Sequence, residues 1–137
     1  MEQQEVENCW EKRLQVVAAE LEGLTGRGQQ IRYLISQSKM VASPSSELLQ
    51  DRFRLPNCAV GVWLKPTRKE GRRCWEAYAE SELILGILHL LARIFDGLAE
   101  HEVPDVPVNL LSQPPFQHIV PQSKRLGLND LLKIYLA

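Results

Sequence analysis

The sequence predicts an α+β fold, a single domain in which a small antiparallel sheet packs against several helices. Three observations support this: a helical stripe of apolar residues near the start, two β-rich runs in the middle, and an almost wholly apolar helical run after them. A length of 137 residues suits one domain with one core. A composition of 45% hydrophobic and 24% charged residues is typical of a globular protein in water.

Two helices are predicted before the sheet. The first covers about Gln4 to Leu24, because its apolar residues recur every three or four positions: Val6, Trp10, Leu14, Val17, Leu21 and Leu24. Glycines are expected to end it: Gly23, Gly26 and Gly28. The second helix runs from about Gln29 to Met40. Residues 1–13 are therefore predicted to be an N-terminal extension that continues into the first helix, and residues 14–137 to form the α+β domain.

Two β-rich runs, Ala59 to Lys65 and Arg72 to Ala79, are predicted to form an antiparallel hairpin. The residues between them, 66–71, are polar and typical of a turn. Cys74 lies inside the second run and is interpreted as a small packing residue.

The run from Glu80 to Leu98 predicts a largely buried central helix, because it is apolar nearly all round. Glycine inside a helix costs about 1 kcal/mol, so Gly86 is expected where another backbone comes close. A proline-rich, irregular segment follows over residues 103–121. A last helix is predicted from Ser123 to Leu136, and its apolar face consists of Leu128, Leu131, Leu132 and Tyr135.

Composition and charge argue against several classes of function. The formal net charge is -1, so general attraction to nucleic acid or to a membrane surface is not expected. The longest strongly apolar run, Leu83 to Ala92, is too short to span a bilayer. The first residues, Met1 to Glu5, are acidic and polar, unlike a signal or transit peptide. We therefore predict a cytoplasmic location, or a reducing organelle stroma if a transit peptide has been removed.

The cysteines and histidines predict neither a disulfide framework nor a metal site. The chain has 3 cysteines, an odd number, and no Cys-x-x-Cys pair. The histidines do not fall at zinc-ligand spacing from a cysteine pair. No Ser-His-Asp constellation, paired-carboxylate motif or phosphate loop is present either, so a hydrolase or a metalloenzyme is not supported.

The segment from Leu55 to Leu64 holds the best candidate for chemistry. Cys58 follows a Pro-Asn turn pair and precedes a β-branched run, so it is expected where a loop enters a strand. A thiol in that position can be presented to a partner while a rigid scaffold holds it. The alternative interpretation is a buried, inert cysteine that only packs.

The order of elements around Cys58 resembles that of the SufE family of sulfur acceptors, whose hallmark is a Gly-Cys-x-Ser-x-Val-Trp segment. The corresponding segment here is Asn57-Cys58-Ala59-Val60-Gly61-Val62-Trp63, in which the cysteine, valine and tryptophan match in register. Residues 31–35 and the run from Gly86 to Val103 also resemble the family. So does the segment 123–128 near the C-terminus, where Lys124 replaces an arginine.

The resemblance implies a SufE-like fold and persulfide relay through Cys58. Its thiolate would accept sulfane sulfur from a cysteine desulfurase and carry it towards iron–sulfur cluster assembly, working with that enzyme and not as a stand-alone one. No metal or organic cofactor is needed. Nearby cations would raise the thiolate fraction. The expected partner-binding residues are Asn57, Arg54, Arg52, Lys124, Arg68 and Lys69.

A second function stays open beside the relay. The residues that flank the cysteine depart from the family pattern at Asn57 and Val60, and Lys124 keeps the charge of an arginine without its planar fork. These departures favour a non-catalytic SufE-like adaptor that binds a protein partner during assembly of a larger complex. For Arg68 and Lys69 the alternative is a solvated hairpin tip. No aromatic residue lies within that tip to stack on bases, so nucleic acid is not expected there.

Overall fold

The computed structural model describes residues 9–56 and 58–137. The predicted helix start at Gln4, Val6 and most of the predicted extension over 1–13 lie outside that range. The helices and strands, in chain order, are α1 (Trp10–Glu22), α2 (Gly26–Ser38), β1 (Val62–Leu64), β2 (Thr67–Lys69), β3 (Arg72–Cys74), β4 (Ala77–Ala79), α3 (Glu82–Phe95), β5 (Leu98–Ala99) and α4 (Gln122–Leu136). Short 3-10 turns connect several of them. This is the predicted α+β architecture.

The predicted antiparallel hairpin is present, but its turn is tighter than expected. β1 pairs with β4 and β2 pairs with β3, all in one continuous register. The turn consists only of Glu70 and Gly71, whose φ angles of 56° and 76° are both positive, as in a type I′ turn. The prediction of a loop over 66–71 was wrong. Strands at an exposed hairpin tip carry polar residues, and these resemble a turn in the sequence.

The second predicted strand, Arg72 to Ala79, divides into β3 and β4. Between them, the Trp75 amide donates a hydrogen bond to Asp96 Oδ1 at 2.9 Å. On its other edge β3 pairs with β5, where Arg72 lies opposite Ala99. The described chain therefore forms two small antiparallel sheets, β1–β4 and β2–β3–β5.

The junction between the first two helices differs from the prediction. Gly23 ends α1 as expected, but Gly26 and Gly28 belong to the first turn of α2. The prediction that all three glycines end the first helix was wrong. The connection between the two helices is short, and α2 begins at Gly26. The predicted start, Gln29, was later because the apolar residues of this helix begin only after it.

The central helix α3 is largely buried, as predicted, and is shorter than the predicted run. It begins after Ser81, whose Oγ accepts a hydrogen bond from the Ile84 amide at 3.4 Å, so the serine caps the helix. Among the residues described, no helix combines the length and the apolar character that crossing a bilayer requires.

Gly86 lets α3 pack tightly against α2. A Cβ at position 86 would overlap the carbonyl group of Leu34 and lie 3.0 Å from Leu34 Cα. The prediction that another backbone comes close to Gly86 is therefore confirmed.

A polar cluster joins α1, α2 and α3 beside this contact. Arg93 forms an ion pair with Glu20, and Tyr33 Oη donates a hydrogen bond to Glu20 Oε1 at 2.8 Å. The hydrogen bond from Arg93 lowers the pKa of Glu20. Burial, followed by the hydrogen bond to Glu20, raises the pKa of Tyr33 to about 12. The cluster holds the three helices together and leaves the Tyr33 hydroxyl protonated at neutral pH.

The last helix, α4, closes the core with the predicted face: Leu128, Leu131, Leu132 and Tyr135 are all buried. Its C-terminal end is held by Arg73, whose Nη1 donates hydrogen bonds to the carbonyl oxygens of Tyr135 at 2.8 Å and Ala137 at 2.7 Å. Arg73 also forms an ion pair with Glu100 at 3.1 Å. These contacts fix the helix that forms one wall of the candidate site.

Candidate functional site

Cys58 lies on the loop that leads into β1, as predicted, and is half-buried. The strand itself begins at Val62 and not at the predicted Ala59, so the loop continues beyond the cysteine. The base of the loop is closed, because the Leu55 amide donates a hydrogen bond to the Val62 carbonyl oxygen at 2.8 Å. Next to this bond, Arg54 forms an antiparallel bridge with Trp63. The thiol is therefore carried by a loop that is anchored at both ends.

Trp63 and Gly61 pack closely at the base of the loop. Trp63 is buried, and a Cβ at Gly61 would overlap both its ring and the Glu80 carboxylate. The guanidinium carbon of Arg54 lies 5.6 Å from the centroid of the Trp63 ring, a cation–π arrangement. This stacking keeps the Arg54 charge near the loop that bears Cys58.

Cys58 lines two cavities beside α4. The first, about 130 Å³, is also lined by Ala59, Val60, Val62, Ile84, Ser123, Lys124, Gly127 and Leu128. The second, about 330 Å³, is also lined by Leu55, Pro56, Gly127, Asp130, Lys133 and Ile134. Cys58 and Gly127 line both cavities, so the thiol lies between them with the middle of α4 opposite.

The surroundings keep the thiol of Cys58 protonated. Burial is the largest influence and raises its pKa. The positive charge of Lys124 lowers the pKa, the negative charge of Asp130 raises it, and Arg54 lowers it further. Burial and Asp130 outweigh the two cations, so Cys58 is a neutral thiol at neutral pH.

The predicted partner-binding residues lie in separate places. Arg54 and Lys124 lie near Cys58. Arg52 is exposed, and its guanidinium carbon lies 4.6 Å above the Phe53 ring. The other two, Arg68 and Lys69, are in β2 at the exposed hairpin tip. Neither lines the two cavities around Cys58. Asn57 lies outside the described residues.

Besides Lys124, six residues of α4 line the two cavities and were not predicted as site residues; Gly127, Asp130 and Lys133 are among them. These three follow Lys124 at intervals of three residues, which places neighbouring members side by side on a helix. That spacing is visible in the sequence, but nothing local indicates that Cys58 lies opposite. Within the described ranges, no group of three His, Cys, Asp or Glu side chains is placed to hold a metal ion.

The raised pKa predicts how Cys58 reacts with alkylating reagents. We expect its rate with iodoacetamide to rise with pH and to reach half its maximum above the ordinary cysteine value of about 8.5. Lys124→Gln removes a favourable cation, so its midpoint should lie higher still. Lys39→Gln changes an exposed lysine that lines neither cavity and should match the wild type. A midpoint below 8.5, or equal midpoints for both variants, would contradict this account.

Comparison with known proteins identifies the fold and the family. The SufE family profile, described as an Fe-S metabolism associated domain, matches residues 15–135. Among solved structures, the chain is similar to the solution structure of a hypothetical protein from Thermus thermophilus, with 15% sequence identity, a TM-score of 0.66 and coverage of 90% of each chain. At that identity the likeness shows the fold alone. No curated protein matches the sequence.

Proposed function

The chain belongs to the SufE family, whose domain is associated with Fe–S metabolism, and from this premise we propose that Cys58 accepts sulfane sulfur from a cysteine desulfurase. One observation carries the proposal: the cysteine that matches the family segment lies on an anchored loop between two cavities, with Arg54 and Lys124 close enough to act on its charge. Part of the Cys58 side chain is covered by the surrounding residues, and part of it is exposed, where a docking protein can reach the sulfur.

The proposed step is an exchange at sulfur. The Cys58 thiolate attacks the outer sulfur of the desulfurase persulfide, a new S–S bond forms on Cys58, and the bond between the two enzyme sulfurs breaks. The desulfurase cysteine leaves as a thiolate, so the sulfane sulfur keeps its oxidation level. Only the deprotonated form of Cys58 attacks. Because burial raises the pKa of this thiol, docking must supply the conditions under which it ionises.

The proposed docking surface surrounds the loop. Arg54 and Lys124 contribute positive charge beside the thiol, and Arg52, in the 3-10 turn Asp51–Phe53, extends the positive surface. We include Asn57 in the proposed docking surface because it directly precedes Cys58 in the sequence. Arg68 and Lys69 form a second, separate contact at the hairpin tip.

A reducing compartment, cytoplasm or organelle stroma, would keep Cys58 available as a thiol.

Persulfide trapping tests the proposal. The protein is incubated with a cognate desulfurase and cysteine, the thiols and persulfides are alkylated, and the cysteine-containing peptides are weighed. We expect one additional sulfur atom on the Cys58 peptide and faster sulfide release by the desulfurase. Cys58→Ser should abolish both. Cys74→Ser is the matched control, because Cys74 is also half-buried, and should behave as wild type. If Cys58 stays unmodified, or Cys58→Ser stimulates sulfide release fully, the proposal fails.

The second candidate function is a non-catalytic adaptor that binds a protein partner during assembly of a larger complex. The raised pKa of Cys58 favours it, because a neutral thiol is a poor sulfur acceptor in the resting protein. Affinity capture separates the two functions. An adaptor should bring down its partner equally well with wild type and Cys58→Ser, and a desulfurase should not be the main protein recovered.

A further inference from the structure

Asp130 acts on Cys58 from the wall formed by α4. It lines the 330 Å³ cavity together with the cysteine. Its one ion-pair partner within the described part of the chain is Lys133, whose Nζ lies 3.9 Å from Asp130 Oδ1. The Lys133 side chain is 57% exposed, so this contact neutralises the carboxylate only weakly. Asp130 therefore presents an incompletely neutralised negative charge to the cavity.

The other charged residues that line the two cavities, and the other charges that act on the thiol, are cations. Arg54 approaches from the loop before Cys58, and Lys124 and Lys133 lie on α4 with Asp130. The side chain that α3 contributes to this space, Ile84, is apolar. At the entrance to α3, Glu80 packs against Gly61. Of the described residues that line the two cavities, Asp130 alone is an anion.

We propose that Asp130 adds to burial in keeping Cys58 in its neutral form, and that the 330 Å³ cavity receives a cationic side chain of the docking protein, which pairs with Asp130 and favours the thiolate. The inference rests on the proposed function and adds the charge that the partner must bring. The cavity suits a lysine or arginine side chain. Leu55, Pro56 and Ile134 provide apolar surface for its methylene stem, and Asp130 binds its charged head.

The mechanism follows from the sign of each charge. A thiolate beside Asp130 is disfavoured, because two negative charges repel across a partly buried space. A cation bound at Asp130 removes that repulsion and adds its own attraction for the thiolate. A partner's cation at Asp130 therefore favours ionisation of the thiol, whereas in the free protein burial and Asp130 together keep it neutral.

Charge-selective methanethiosulfonates test both parts of the proposal on the free protein. The Cys58 thiolate attacks the divalent sulfur of the reagent, which carries the variable group. A disulfide forms between that sulfur and Cys58, and methanesulfinate leaves. Three reagents are compared, which carry a neutral methyl, a cationic trimethylammonium-ethyl or an anionic sulfonatoethyl group. Peptide mass spectrometry reads Cys58 separately from the other cysteines, and each rate is normalised to that of free cysteine with the same reagent.

Asp130→Asn should change the rates in two ways. The neutral reagent should react roughly three- to tenfold faster, because the repulsion of the thiolate is gone. The ratio of cationic to anionic rates should fall by a similar factor, roughly three- to tenfold, because the cavity no longer attracts a cation. Asp105→Asn removes an exposed carboxylate that lines neither cavity and should change nothing. Asp130→Ser replaces the asparagine variant if that variant melts early.

An unchanged charge ratio in Asp130→Asn, or a neutral-reagent rate that stays the same or falls, overturns the inference. The labelling uses no desulfurase, so its outcome is independent of persulfide transfer. A protein that shows both expected changes and still accepts no persulfide keeps this inference and loses the proposed function. A protein that accepts persulfide and shows neither change keeps the proposed function and loses this inference.

Discussion

We expect Gly86→Ala to lower the free energy of unfolding by about 3 kcal/mol, the upper end of the usual cost of overpacking. Helix propensity alone predicts the opposite, a gain of about 1 kcal/mol from replacing a mid-helix glycine. The new methyl group overlaps the Leu34 carbonyl group, which is backbone and cannot rotate aside. The helices α2 and α3 would have to separate, and the packing between them would be lost.

Gly28→Ala is the matched control, because Gly28 is also a helical glycine. A Cβ there meets no atom closer than the Arg32 guanidinium at 3.5 Å, the far end of a flexible side chain. This variant should be as stable as the wild type or more stable by about 0.5–1 kcal/mol. Urea denaturation of both variants gives the comparison. Equal free energies of unfolding for Gly86→Ala and Gly28→Ala would mean that α2 and α3 are not in close backbone contact at Gly86.

The second large effect is expected at Arg73. Its side chain is 8% exposed and donates to two carbonyl oxygens at the end of α4. Arg73→Met removes charged hydrogen bonds and leaves a buried carbonyl unsatisfied, so we expect a loss of about 2–3 kcal/mol in the free energy of unfolding. The ion pair with Glu100 is exposed on its acidic side and adds little. Because α4 walls the site, Cys58 should also be alkylated faster.

Arg68→Met separates the role of the buried arginine from that of the ion pair. Arg68 also pairs with Glu100 at 3.1 Å, but its side chain is 61% exposed. We expect a change within about 0.5 kcal/mol and unaltered alkylation of Cys58. Thermal or urea unfolding measures the first quantity and peptide-resolved labelling the second. Similar losses for Arg68→Met and Arg73→Met would show that the Glu100 ion pair, and not the buried contact with α4, carries the stability.

Much of the fold could be predicted because its signals are local. The buried face of α4 follows from apolar residues three and four positions apart. A lone glycine in an apolar helix predicted the close contact at Gly86. The tight turn at Glu70 and Gly71 was missed. Solvent exposure, and not turn geometry, accounts for the polar residues on either side of it.

The candidate site was predictable only in part. Cys58 is indicated by its own neighbours, and Lys124 by the likeness of its segment to the SufE pattern. Arg68 belongs to a basic stretch in the sequence, yet it pairs with Glu100 and lines neither cavity around the thiol. Asp130 could not be selected, because no feature of the C-terminal segment alone indicates that a cysteine faces it.

By itself, the sequence determined the helices, the hairpin and the cysteine on the loop before β1, because apolar spacing and turn chemistry act over a few neighbouring residues. The tertiary structure alone decided the state of that cysteine. Packing of α4 against the loop brings Asp130 and Lys124 to the thiol from a distant part of the chain, and burial raises its pKa. The reactivity of Cys58 depends on these charges and on exclusion of water, and both arise only when the segments pack together.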